Sequence, residues 1–433
     1  MKKELVMTGT GDALYVASMP KEYDAELGEI ADYIGTCDVR MTNLESNIEE
    51  FGDFAAAESG GTWINTPPAD FDDLMRFGFN YYGTGNNHAG DFSTHGVLST
   101  IDELDRRGLA HSGTGKGLEE AGAHAVVECG GQKVGIIAFT CDFNNAMKAG
   151  YGTPAMKSRP GVNYVRSEKI YPITKEEADA LEKIAKKTYI NAGHEAEVKG
   201  GFALPEPEGI YFFGGQKFCY DGSYPTSRCN KADLARITKS IEDAKKECDY
   251  VVVLSHCHAM RRDDPEAAPE FLEELCHACI DAGAAAVIGG GKHQLRGLEI
   301  YHGAPIFYSL GDFIYQGMRV HHLPADFMIA YGVDKDASAW EGLMARSQGG
   351  KIGLQTKECN FLTVLPRITF EDGKMKSMEM MPLSLGFERE GNLNGLPYHA
   401  KGDEGKKIFD ILNRLSKPYG TELTYEKDMI VLK

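Results

Sequence analysis

Apolar positions along the chain follow two periods. Short apolar runs at Leu5–Thr8, Val39–Thr42 and Phe79–Tyr82 have the length and composition of buried strands. Between them, Tyr23–Ile34, Pro67–Phe77 and Thr94–Arg107 repeat apolar residues three and four apart, which predicts helices with one buried face. Pro67-Pro68 opens the second helix, where a missing N–H costs nothing, and Gly108 ends the third. His124–Glu128 and Lys133–Thr140 flank Gly130-Gly131, a hairpin signal. Alternating strands and helices predict an α/β fold.

The segment from Cys141 to Cys229 breaks this rhythm. It is rich in Pro and Tyr and carries one clear helix, Lys175–Thr188, so residues 141–229 are expected to be an insertion, with a lid or substrate-facing element as its expected role. The alternation then resumes. Lys231–Glu247 and Pro269–Ala282 predict helices. Tyr250–Leu254, Ala284–Ile288, Leu295–Tyr301 and Pro305–Leu310 predict strands. Residues 318–358 read as irregular. Asn360–Phe370 and Lys374–Pro382 form a hairpin around Glu371-Asp372-Gly373, and Gly405–Ser416 a terminal helix. The expected organisation is a core of residues 1–140 and 230–385, the insertion, and a C-terminal segment, 386–433, packed on the core.

Composition narrows the function. The net charge of −18 argues against nucleic acid, whose phosphates need a basic face. No apolar run approaches a membrane span, and the N-terminal Leu5-Val6-Met7 is too short for the core of a signal peptide. A cytoplasmic location is therefore expected, with the 10 cysteines as free thiols. Cys276-His277-Ala278-Cys279 has no second pair and lies in a predicted helix, so it reads as two helix thiols.

The chemistry lies just past the strands. Asp12, Asn43 and Glu45, Asn86-Asn87-His88, His256 and His258, and His293 each follow a predicted strand. In an α/β sheet such ends converge on one edge, so these groups should meet in space. Carboxylate, carboxamide and imidazole together suit one or two ions of Mn²⁺, Fe²⁺ or Zn²⁺. His88 directly follows Asn87 and suits a general acid. Asp91, three residues on, could hold its other nitrogen. Lys292 and Arg296, with Asn43 and Asn86, are expected to face a substrate that is anionic.

Gly11-Asp12, Thr42-Asn43-Leu44-Glu45, the Asn86-Asn87-His88 block running to Asp91, the run ending at His256, and the block from Ala285 to Phe313 resemble the CapA family. These are the poly-γ-glutamate capsule synthesis proteins, similar to calcineurin-like metallophosphoesterases. The resemblance implies a four-layer αββα sandwich with insertions. It also implies Asp12, Glu45, Asn87, His256 and His293 as metal ligands and His88 as the catalytic histidine. Two positions depart from the family's last motif: Gly290 stands where a histidine is usual and Lys292 where a proline is usual. His258 could replace the missing ligand. The reading that follows is a metal-dependent hydrolase of a phosphoester or an amide/γ-glutamyl bond in an acidic small molecule or peptide. The alternatives are a metal-assisted peptide epimerase and a non-catalytic accessory protein of capsule synthesis.

Overall fold

The computed structural model describes residues 4–52, 54–223 and 226–433. It is a mixed α/β structure. The strands Glu4–Leu14, Val39–Leu44, Tyr81–Gly83 and Ala110–Ser112 pair in parallel at one side of a ten-stranded sheet. On the other side of Glu4–Leu14 the antiparallel hairpin Leu362–Glu371 and Lys374–Ser384 adds on, followed by Met429–Leu432 and then Leu423–Glu426. A second sheet of six strands centres on Gln132–Thr140, Tyr250–His256 and Ala286–Gly290, all parallel.

Side chains alternate across each strand, and this divides the core. Met7, Met41 and Tyr81 of the first sheet share one buried cluster with Ile136, Val252, Leu254 and Ile288 of the second, so the two sheets face each other. The opposite face of the first sheet, through Ala13, Leu44 and Tyr82, meets Leu27, Ile30, Phe71 and Leu74 of the helices Asp24–Gly35 and Pro68–Met75. The opposite face of the second, through Ile137, Val251 and Val253, meets Ile237, Ile241, Leu272 and Leu275 of the helices Lys231–Ala244 and Glu270–Asp281. Each large apolar side chain buried this way contributes about 1.5–3 kcal/mol relative to exposure. Cys276 and Cys279 belong to that last cluster, buried and unbridged.

Two stretches are more ordered than their sequence suggests. The insertion holds the expected helix Lys175–Thr188, opened by a Thr174/Glu177 capping box. It also has a second helix, Ala192–Lys199, and a four-stranded sheet built on Ser167–Pro172. Residues 318–358, expected to be irregular, contain the helices Ala325–Ala330 and Ala339–Arg346. Among the described residues, no helix is long and apolar enough to cross a membrane.

Candidate metal centre

The ends of the parallel strands carry the site. Glu4–Leu14 runs past the predicted Thr8 and delivers Asp12. Gly11 is needed there, because a Cβ would lie 1.8 Å from the carbonyl oxygen of Gly311. Asn43 lies on Val39–Leu44 and Glu45 just after it. His256 ends Tyr250–His256, and His293 follows Ala286–Gly290 with φ +59°. Ligand atoms of Asp12, Glu45, His293 and Asp312 all lie within 4.8 Å of one another, as do those of Glu45, His258 and His293. Glu45 and His293 belong to both groups.

Hydrogen bonds fix most of these side chains. Asn43 Nδ2 donates to Asp12 Oδ1 at 2.6 Å and lies 3.1 Å from His256 Nδ1. An amide nitrogen only donates, so His256 accepts at Nδ1 and turns Nε2 toward Glu45 Oε1 (3.4 Å) and His258 Nε2 (3.0 Å). Asn86 Nδ2 holds the Asn43 oxygen at 3.2 Å and the carbonyl of Leu44 at 2.7 Å. His293 Nδ1 lies 2.8 Å from Asp312 Oδ1, and the backbone N–H of His258 donates to Asp142 Oδ2 at 2.6 Å. His88 Nδ1 meets Asp91 Oδ2 at 2.6 Å, while its Nε2 stands 3.9 Å from Glu45 Oε1. Asp91 is itself anchored by the N–H groups of Gly60 and Ile64.

The site is short of positive charge. Both oxygens of Glu45, Oδ2 of Asp312 and Oδ1 of Asn87 are buried without a hydrogen-bond partner. Burial, and then the charges of Asp12 and Asp312, push the Glu45 carboxyl well above the usual carboxylate range. Burial acts the same way on Asp12, but His256 and His293 outweigh it and hold its carboxyl below the ordinary value. Burial, with His256 and His293 alongside, pushes the His258 imidazole well below its ordinary value. Unpartnered acceptor atoms buried together are costly unless a cation meets them. Hard oxygens beside imidazoles fit a divalent transition ion, so the residues present suit the implied metal.

The other candidates are placed differently. Asn87 directs Nδ2 to the carbonyl of Gly60. Lys292 is half-buried and has no carboxylate partner among the described residues. Arg296 is buried and donates to the carbonyls of Pro265 (3.2 Å) and Ala259 (2.5 Å), which makes it a brace for the loop after His258. At Gly290 a Cβ would lie 2.2 Å from Asp12 Oδ1, so no larger side chain fits on this backbone. Sequence reasoning gave Asp312 and Asp142 no role. Asp312 lies opposite Asp12 in parallel register on the short strand Asp312–Tyr315. Its Gly-Asp-Phe setting was the available signal.

The family description for the bacterial capsule synthesis protein PGA_cap matches residues 6–317. An uncharacterised protein of Sinorhizobium fredii is 29% identical over 430 residues, covering 97% of this chain and 91% of its own. The PGA biosynthesis protein CapA of Bacillus subtilis is 26% identical over 56% of this chain and 44% of its own. A probable polyglutamine synthesis accessory protein of Mycobacterium tuberculosis is 24% identical over 66% of this chain and 58% of its own.

Proposed function

This chain belongs to the bacterial capsule synthesis protein PGA_cap family, and we propose that it is a metal-dependent hydrolase within it. The bond cut is a phosphoester or an amide/γ-glutamyl bond of an acidic small molecule or peptide. The observation that carries this reading is Glu45, whose two oxygens are buried without a hydrogen-bond partner between Asp12, His256 and Asp312. We read the fold as a four-layer αββα sandwich of the metallophosphoesterase type with insertions. Its support is the run of three cores: helix on sheet, sheet on sheet, and sheet on helix. In this reading residues 1–140 and 230–385 form the catalytic core, 386–433 pack on it, and 141–229 form a lid.

Asp12, Glu45, His256, His293 and Asp312, with Asn87 and His258, would hold one or two divalent ions, of which Mn²⁺ is one candidate. Such an ion supplies a hydroxide near neutral pH by lowering the pKa of bound water from 15.7 to about 7. His88 gives its Nε2 proton to the leaving group. Asp91 grips Nδ1 at 2.6 Å, so Nε2 is the nitrogen left for that work. Asn43 keeps Asp12 and His256 in place by direct hydrogen bonds, Asn86 in turn holds the Asn43 oxygen, and both asparagines would also border the substrate. Lys292 offers a cation to the substrate's negative charge.

The test is turnover of phosphoester and γ-glutamyl substrates by the Mn²⁺-loaded protein. Hydrolysis that disappears in Asp12→Ala and His88→Ala supports the reading, and full activity in both variants ends it. A second reading, an accessory protein of polymer synthesis, is favoured by the name of the mycobacterial relative. Polymer binding at physiological salt with no turnover would favour it. Deuterium entering uncleaved peptide from D₂O would instead indicate epimerisation.

A further inference from the structure

The metal centre accounts for the reacting bond but not for what holds the rest of a substrate. A cavity of about 270 Å³ opens at His88 and His293. Its lining also includes Arg346, Ile352 and Leu354, which lie beyond the residues matched by the family. Arg346 is its one arginine or lysine, and no carboxylate lines it. Among the described residues Arg346 forms no ion pair with a carboxylate, although the chain has 64 acidic residues and 46 basic ones.

The guanidinium is held in a fixed attitude. Arg346 closes the helix Ala339–Arg346, which starts with a Ser338/Glu341 capping box. Its Nη1 donates to the carbonyl of Gly61 at 3.0 Å and to Thr62 Oγ1 at 2.5 Å. Its central carbon stands 5.5 Å from the centre of the Phe327 ring. Nε and Nη2 have no partner among the described residues. That edge of the fork is the one that takes a carboxylate through two parallel hydrogen bonds. One free cationic edge balances one negative charge, which matches a carboxylate better than a phosphate near −2. The volume lies below the roughly 300–1,000 Å³ of pockets for drug-sized ligands, so it fits one small unit.

We propose that this cavity seats a single acidic unit of the substrate, with its carboxylate paired to Arg346 and the bond to be broken at His88. This rests on the hydrolase reading and adds the specificity-determining residue. The segment that supplies Arg346 lies outside the matched family region, so the anchor is a property of this chain and of relatives that share the segment.

Two probes test it by calorimetry on the Mn²⁺-loaded protein: γ-glutamylglutamate and the same dipeptide with its carboxylates amidated. The wild type is expected to prefer the acid by roughly 10- to 100-fold. Arg346→Met removes that preference and leaves Mn²⁺ binding unchanged. Arg346→Gln, which keeps a donor for Gly61 and Thr62, does the same should the methionine variant fold poorly. Arg346→Lys restores part of the preference. An unchanged preference in Arg346→Gln, or no preference in the wild type, overturns the proposal. Phosphoethanolamine, which carries a phosphate and no carboxylate, displacing the dipeptide from wild type overturns the choice of carboxylate. If the protein binds no Mn²⁺, the hydrolase reading fails by itself. The same probe pair on metal-free protein still decides the role of Arg346.

Discussion

Glu45→Gln replaces a buried carboxyl, whose ionised form burial, Asp12 and Asp312 disfavour, with a neutral amide of almost the same volume. In the metal-free protein neither Glu45 oxygen has a hydrogen-bond partner. A buried, unsatisfied polar group costs about 1–3 kcal/mol, and more when charged. The amide is still a buried polar group, so only the excess cost of the disfavoured carboxylate is relieved, and the metal-free protein should gain on the order of 1–3 kcal/mol. For 433 residues, an unfolding entropy of about 2.1 cal/mol/K per residue makes one degree of Tm worth ~0.9 kcal/mol. The gain is then roughly 1–3 °C. The wild type behaves in the opposite way on adding metal: Mn²⁺ at about 100 times its Kd stabilises by about 2.7 kcal/mol, or roughly 3 °C. Scanning calorimetry of both proteins, with chelator and with Mn²⁺, reads all four states. The expected pattern is a crossing, with the variant ahead without metal and behind with it. A variant less stable than wild type by the same margin in both conditions would show that Glu45 is a structural side chain and refute the reasoning.

Other outcomes follow from the same geometry. His88→Gln should lower turnover by roughly 10²–10⁴-fold without loss of bound metal, because the ring's role is proton transfer. Elemental analysis that finds the metal gone would make His88 a ligand instead. Gly290→Ala should cost about 1–3 kcal/mol and weaken metal binding, since its Cβ meets Asp12 Oδ1 at 2.2 Å. Restoring histidine there should not restore a ligand, and full metal content with unchanged Tm in either variant would contradict this. In the insertion, Arg228 and Lys217 outweigh burial and hold the Glu168 carboxyl below its ordinary value of 4.5. A depressed carboxyl stabilises above its unfolded pKa and loses that contribution as pH falls. Protection of Ser167–Pro172 against hydrogen exchange, taken relative to the intrinsic rate at each pH, should therefore fall below about pH 4.5 in wild type, and Glu168→Gln should remove that acid dependence. Equal acid sensitivity in both proteins would refute the assignment.

The alternation of strands and helices was legible because buried parallel strands are short apolar runs, and Val39–Leu44 and Tyr250–His256 stand out as such. The strand ends told which residues could meet, so Asp12, Glu45, His256 and His293 were readable as a group. Asp312 was not, because it opens a strand of only four residues instead of following one. The insertion's sheet escaped notice because Ile210–Phe213 is only half-buried and lacks alternation. The helix Ala339–Arg346 is two turns long with Gly342 inside it, too short for a period to show. Its Ser338-x-x-Glu341 start was the available signal. Arg296 is placed by contacts that its sequence setting does not show. A charged side chain beside a metal motif reads as a substrate contact, yet its hydrogen bonds go to loop carbonyls.

The central claim is that residues far apart in the chain form one cation site. Anomalous diffraction from crystals soaked in Mn²⁺ tests it most directly. A strong peak within about 2.0–2.3 Å of a Glu45 oxygen, shared with Asp12, Asp312 or His293, is the expected result. Crystals that take up no manganese at that position, with Glu45 still buried and unpartnered, would contradict it.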